Sequence, residues 1–224
     1  MTPTVGSDRP VEVHCLACGD ELAELVAPRA AAALRHLELA GELSAVVVCC
    51  DDLPDGDDGW LRLDRTAAPQ RLPVLTVFCG PRVFCDPGRG SVEPGPAVWE
   101  QRAAPRREDP FPLHRFSPDE TNAFLHHQFA LAADLMRGRI LPDLVPTALA
   151  EAFAASWDVV LDGRLQRAGL PAYGQAVRRA RFSRLFATAG VLMPGHWQIF
   201  QSLWDGGLAG AGEVLAAVRR LPRL

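Results

Sequence analysis

The residues best equipped for chemistry lie in the stretch Ala123 to Asp134, where His126 and His127 stand side by side among apolar residues and Asp134 closes the run. On a helix, neighbouring side chains point about 100° apart, so only one of the two imidazoles faces any given pocket. A second polar cluster, Asp158-Val-Val-Leu-Asp162-Gly-Arg164, puts Asp158 and Asp162 on one helix face by the i, i+4 spacing. A third is the thiol pair Cys15-Leu-Ala-Cys18. Imidazole and carboxylate serve proton transfer or metal ligation, and paired thiols serve redox exchange. All 23 basic residues are Arg. With no Lys, a P-loop, a pyridoxal phosphate Schiff base and a Lys general base are excluded.

The His126-His127 stretch resembles the active-site helix of zincin metallopeptidases, whose HExxH motif sets two His one turn apart to grip zinc, with a Glu between them to polarise the bound water. Strands, then an edge hairpin, then this helix also follow the zincin order, so the resemblance spans roughly residues 11–167. The motif itself is degenerate. Aligning His127 with the first His puts Gln128 at the Glu position and Leu131 at the second His; aligning His126 instead puts His127 and Ala130 there. The resemblance therefore implies a zincin-like scaffold without peptidase activity, acting in binding or regulation towards a protein or peptide partner. If zinc is held at all, it implies His127, Asp134 (seven residues on, same face) and Glu151 on the next helix as ligands. His126, Asp158 and Asp162 would then be supporting residues, the two acids orienting His127 by hydrogen bonds. The competing reading of Asp158 and Asp162 is that they pair with the Arg-rich helix containing Arg178, Arg179, Arg181 and Arg184.

Cys15 and Cys18 sit between an expected strand and an expected helix, a placement that resembles the thioredoxin-like redox motif; a thiol-disulfide oxidoreductase is thus the alternative function. Cys49, Cys50, Cys79 and Cys85 read as small apolar strand residues. The N-terminal ten residues are polar and no run approaches the roughly 18 apolar residues of a membrane span, so the expected home is the cytoplasm, with reduced cysteines. The net charge of −4 is unevenly spread: residues 1–159 carry 14 Arg and 24 acids, residues 160–224 nine Arg and three acids. That basic excess is read as a solvated or internally paired helix face, because neither zinc-finger spacing nor an RNA-binding aromatic signature accompanies it.

These residues need a frame. Strands are expected at 11–16, 43–50 and 60–63, a helix despite Pro28 at 20–42, and a hairpin or two strands at 72–79 and 82–85 across Gly80-Pro81. Residues 86–118 hold seven Pro and three Gly and read as a long loop. Ser117-Pro118-Asp119-Glu120 starts a helix to about Met136, with Ser as N-cap, Pro at the first position and Glu in the capping box. Further helices are expected at 146–167, 173–189, 196–204 and 213–220. His196 reads as a capping or core residue, and the aromatic run through Trp197 and Trp204 as core unless exposed. The order predicts a single α+β domain over 1–224: a mixed sheet with one long helix (11–118, including the Pro-rich loop) packed on a helical half (119–224).

Overall fold

Alternation and Val-rich runs in the first third give short strands, and Ala- and Leu-rich amphipathic stretches give helices, as a computed structural model of the chain shows. It describes residues 11–50, 59–64, 72–86, 113–187 and 192–221. Residues 51–58 and most of the expected Pro-rich loop, 87–112, lie outside the described residues. The class is α+β. The described chain forms two units, Met1–Asn122 and Ala123–Leu224, the division falling inside a helix.

In the first unit, strands β1 (Glu12–Leu16), β2 (Ala45–Cys50), β3 (Trp60–Asp64) and β4 (Val74–Cys79) form one mixed sheet in the order β1-β2-β4-β3. β1 and β4 run parallel to β2, and β3 runs antiparallel to β4. Helix α1 (Asp20–His36) provides the crossover between β1 and β2 and buries Leu22, Val26, Ala30, Ala33 and Leu34. Pro28 is tolerated on its exposed side. Gly19 precedes α1 at φ +70, a conformation in which a Cβ would be strained, and this sharp turn delivers Cys18 to the head of the helix.

Register puts Cys15, Val46, Val48, Cys50, Leu75, Val77 and Cys79 on one face of the sheet, with Cys50 beside Cys79. Instead of a second hairpin strand, Pro81–Phe84 forms a 3-10 turn, its start fixed by Pro81; Cys85 makes only an isolated bridge to Phe116. α1 stops at His36, short of the expected Glu42, because Glu38 turns to φ +57.

Helix α2 (Pro118–Met136) starts as its sequence dictates, with the Glu120 N–H donating to Ser117 Oγ at 3.3 Å. In the second unit follow α3 (Ala150–Arg167), α4 (Gln175–Phe186), α5 (Pro194–Asp205) and α6 (Ala211–Arg220). α3 is the hub, set against α4, α5 and α6. Gly163 makes the α5 crossing possible: a Cβ there would meet the Trp204 backbone carbonyl, with the carbonyl carbon only 2.9 Å away. No described helix is long and apolar enough to cross a membrane.

Candidate functional site

α2 is almost wholly interior between Ala123 and Asp134, so both imidazoles are buried, His126 at 2% and His127 at 4% exposure. α3 meets His127 with two acids one turn apart. His127 Nδ1 lies 3.2 Å from Asp162 Oδ1, and Nε2 lies 3.2 Å from Asp158 Oδ1. An imidazole facing a carboxylate at each nitrogen donates from both, which is the charged form. Burial opposes that charge, and Arg178 opposes it too, but Asp162 and the two carboxylate hydrogen bonds outweigh them and raise the His127 pKa. For Asp158, burial again acts against the charge, and His127, Arg178 and Arg181 overcome it to hold the carboxyl below its usual range.

α4 completes the cluster. Arg178, buried at 2%, pairs through Nε with Asp162 Oδ2, and its Nη1 is 3.8 Å from Asp158 Oδ2. Its Nη2 lies 3.1 Å from His127 Nδ1. The guanidinium also stacks over the Tyr173 ring at 4.6 Å, while the Tyr173 backbone N–H donates to Asp162 Oδ1 at 3.3 Å. Arg181 adds a contact to Asp158 Oδ2 at 3.1 Å. Two buried carboxylates are thus shared by an imidazole and two guanidinium groups from neighbouring helices, the compensation that buried charge demands.

The sequence-derived site residues divide. Asp158 and Asp162 do hold His127, and they also pair with the Arg-rich helix, so both readings of these acids hold at once. Asp134 belongs elsewhere. Its carboxylate, fully buried, takes Arg164 Nη2 at 2.9 and 3.0 Å, Arg139 Nη1 at 3.3 Å and the Trp157 indole N–H at 3.1 Å. Glu151 is exposed in the first turn of α3. His127, Asp134 and Glu151 are not gathered into a metal-ligand set; among the described residues no group of three or more His, Cys, Asp or Glu is placed to hold a metal ion. The donor atoms around His127 do not fit a zinc ion as they stand, since cationic nitrogens already address them. Gln128, at the position of the zincin Glu, has its Oε1 buried without a hydrogen-bond partner.

The spacing of the Arg-rich helix does not mark Arg178 as its buried member, and nothing in the sequence around Arg164 points to its partner, Asp134 on α2. Beside the cluster, Leu131, Leu135, Ile140, Phe153 and Trp157 line a cleft of about 240 Å³ that ends at Asp158. Leu141 and Leu144, at 52% and 69% exposure, interleave with its lining residues Ile140, Pro142 and Val145. His196 caps α5, accepting the Met193 N–H on Nδ1 at 3.1 Å. Trp204 is core, whereas Trp197 is partly exposed under Arg179, 5.7 Å from its ring centre.

Among the thiols, Cys18 is bonded to Cys50, with Cα atoms 5.2 Å apart, and Cys15 stands free. The expectation of reduced cysteines, with Cys50 as a plain strand residue, gives way to a disulfide joining the head of α1 to the end of β2. Burial raises the pKa of Cys15, and at Cys79 burial, with Cys49 and Cys15 adding to it, pushes the pKa up to about 12.

Comparison with known protein families gives no match, and no curated protein or solved structure matches the chain.

Proposed function

We propose that this chain is a zincin-like protein without peptidase chemistry, which binds an apolar segment of a partner protein in the cleft between α2 and α3. It would take neither nucleic acid nor membrane as partner. The observation that carries the reading is the pairing of a locked cluster with an open cleft. His127 is engaged at both nitrogens, Gln128 and Leu131 replace the groups that zinc hydrolysis needs, and next to them lies an apolar cavity of about 240 Å³. Exposed Leu141 and Leu144 extend that apolar surface outward, as at the anchor pockets of protein interfaces. The thiol-disulfide reading draws no support from Cys15, whose pKa is raised by burial, and Cys18 has another partner.

The test combines two measurements. The chain supplied with zinc should leave labelled casein intact. It should also enhance the fluorescence of anilinonaphthalene sulfonate, and Ala154→Trp, which fills the cleft from its exposed wall, should remove that enhancement while melting unchanged. Zinc-dependent casein cleavage, or dye binding indifferent to Ala154→Trp, would overturn the reading.

A further inference from the structure

Between α4 and α5 runs a groove of about 410 Å³ lined by Arg179, Trp197, Gln198 and Gln201. Met193, Trp197, Gln201 and Asp205 recur every fourth residue, so they form one stripe along α5. The first two are exposed apolar side chains. The last is an exposed carboxylate that accepts Gln201 Nε2 at 2.8 Å. From α4, the Arg179 guanidinium lies over the Trp197 and Phe200 rings at 5.7 and 5.6 Å, and its Nη2 donates to Gln201 Oε1 at 3.5 Å.

Charge singles this groove out. Arg178 and Arg181, on the same helix, pair with carboxylates of α3. Among the described residues Arg179 meets two ring faces and an amide instead, so its guanidinium is held in place without a carboxylate. A guanidinium fixed in that way is ready to take a carboxylate through paired N–H donors. Beside it, Trp197 and Met193 offer an apolar seat, and Trp and Arg are the residue types that most often anchor protein interfaces.

We propose that the α4–α5 groove docks an acidic peptide segment of a partner protein. Arg179 takes a carboxylate of that segment, and Trp197 with Met193 takes the apolar side chain next to it. Charge complementarity decides the occupant: the cation over the groove calls for an anion, while Asp205 at the end of the stripe would repel a continuous phosphate backbone. A peptide suits both, since its backbone N–H groups can donate where a carboxylate already stands. The inference is independent of the α2–α3 cleft, with which the groove shares no lining residue.

The experiment follows the fluorescence polarisation of a labelled Glu-Glu-Leu-Phe-Glu-Glu peptide titrated with the full chain. The parent should bind it at least about tenfold more tightly than Gln-Gln-Leu-Phe-Gln-Gln or Glu-Glu-Ser-Ser-Glu-Glu, a difference of about 1.4 kcal/mol. Arg179→Gln and Trp197→Ala should each weaken binding at least about tenfold, as truncated interface anchors do. Arg184→Gln, at another exposed Arg of α4, should leave it unchanged, and so should Ala154→Trp in the α2–α3 cleft. Arg179→Glu should exchange the acidic peptide for Lys-Lys-Leu-Phe-Lys-Lys, a gain of binding that misfolding cannot produce. A folded parent that ignores the acidic peptide would overturn the proposal, as would binding indifferent to Arg179→Gln. Loss of binding in Ala154→Trp would move the peptide to the other cleft, and tighter binding of oligouridylate that depends on Arg179 would assign the groove to nucleic acid; either result refutes it.

Discussion

His127 and Asp162 lie 35 positions apart in the chain, yet His127 Nδ1 is 3.2 Å from Asp162 Oδ1 and both side chains are buried. Asp162 also receives Arg178 and the Tyr173 N–H, so one carboxylate ties α2, α4 and the segment before α4 to α3. Asp162→Asn leaves a buried guanidinium without its charge partner and should cost about 3–5 kcal/mol in urea denaturation. Pairing it with Arg178→Met removes that orphaned charge, so the double variant should lose less than the sum of the singles, by about 1 kcal/mol or more.

The same cluster sets a pH dependence whose sign differs for its two members. His127 has a folded pKa above its ordinary 6.5, so its contribution is complete below 6.5 and is lost as pH rises through the folded value. Asp158 has a folded pKa below its ordinary 3.8, so its contribution is complete above 3.8 and is lost as pH falls through the folded value. Between 3.8 and 6.5 both act in full. Unfolding free energy measured across pH should therefore decline on the alkaline side of 6.5, and His127→Gln should flatten that decline while leaving the acid limb in place. An unchanged alkaline limb in His127→Gln would show that the imidazole is not charged in the fold.

What the chain reveals of this site before folding is local. The i, i+4 spacing of Asp158 and Asp162 and the helical stretch around His127 follow from residues within a few turns, and the structure joins them. So does the start of α2, where Ser117 and Pro118 carry short-range signals. The rest depends on distant segments. Arg178 differs from its exposed neighbour Arg179 only in the face it turns inward, which is fixed by how α4 crosses α3. Asp134 shares a helix face with His127, but Arg164 and Trp157 on α3 claim its carboxylate. Cys18 bonds Cys50 rather than Cys15 because β1 and β2 run parallel and end at the same edge, a pairing that no spacing encodes.

Asp134 gives a test of burial against exposure within one network. Its forked pair with Arg164 Nη2 and its Trp157 hydrogen bond are buried on the acid side, so Asp134→Ala should cost about 3–5 kcal/mol by stranding those donors. Arg139 reaches the same carboxylate from a side chain that is 51% exposed. Arg139→Ala should therefore cost about 0–1 kcal/mol. Thermal melts of the two variants check the contrast, and near-equal losses would contradict it.

Gly163 is occupied by glycine for reasons of space. It sits inside α3, where glycine is a poor helix former, and Ala would ordinarily stabilise the helix by about 0.5–1 kcal/mol. Here the added methyl would press on the Trp204 backbone of α5, which cannot rotate away as a flexible side chain would. Gly163→Ala should instead destabilise by about 1–3 kcal/mol, the cost of overpacking. Gly212, with nothing near the position of a Cβ in α6, is the control: Gly212→Ala should be neutral or stabilising in the same denaturation assay.

The Cys18–Cys50 bond closes a sequence separation of 32 residues that contains all of α1. A cross-link of that span removes freedom chiefly from the unfolded chain, which for a loop of this size amounts to about 3–4 kcal/mol. Dithiothreitol should lower the urea midpoint of the parent chain, and the Cys18→Ala, Cys50→Ala double variant should start at the lowered midpoint and ignore the reductant. Cys15→Ala should behave as the parent does in both conditions, since Cys15 is outside the bond. Peptide mapping without reduction identifies the partners directly. A Cys15–Cys18 peptide would displace this pairing and restore the redox reading. Cys79 neighbours Cys50 in register, but its pKa of about 12 keeps it from attacking the bond as a thiolate. Cys79 should therefore not reshuffle the cross-link, and alkylation of the native chain near neutral pH should leave Cys79 unmodified.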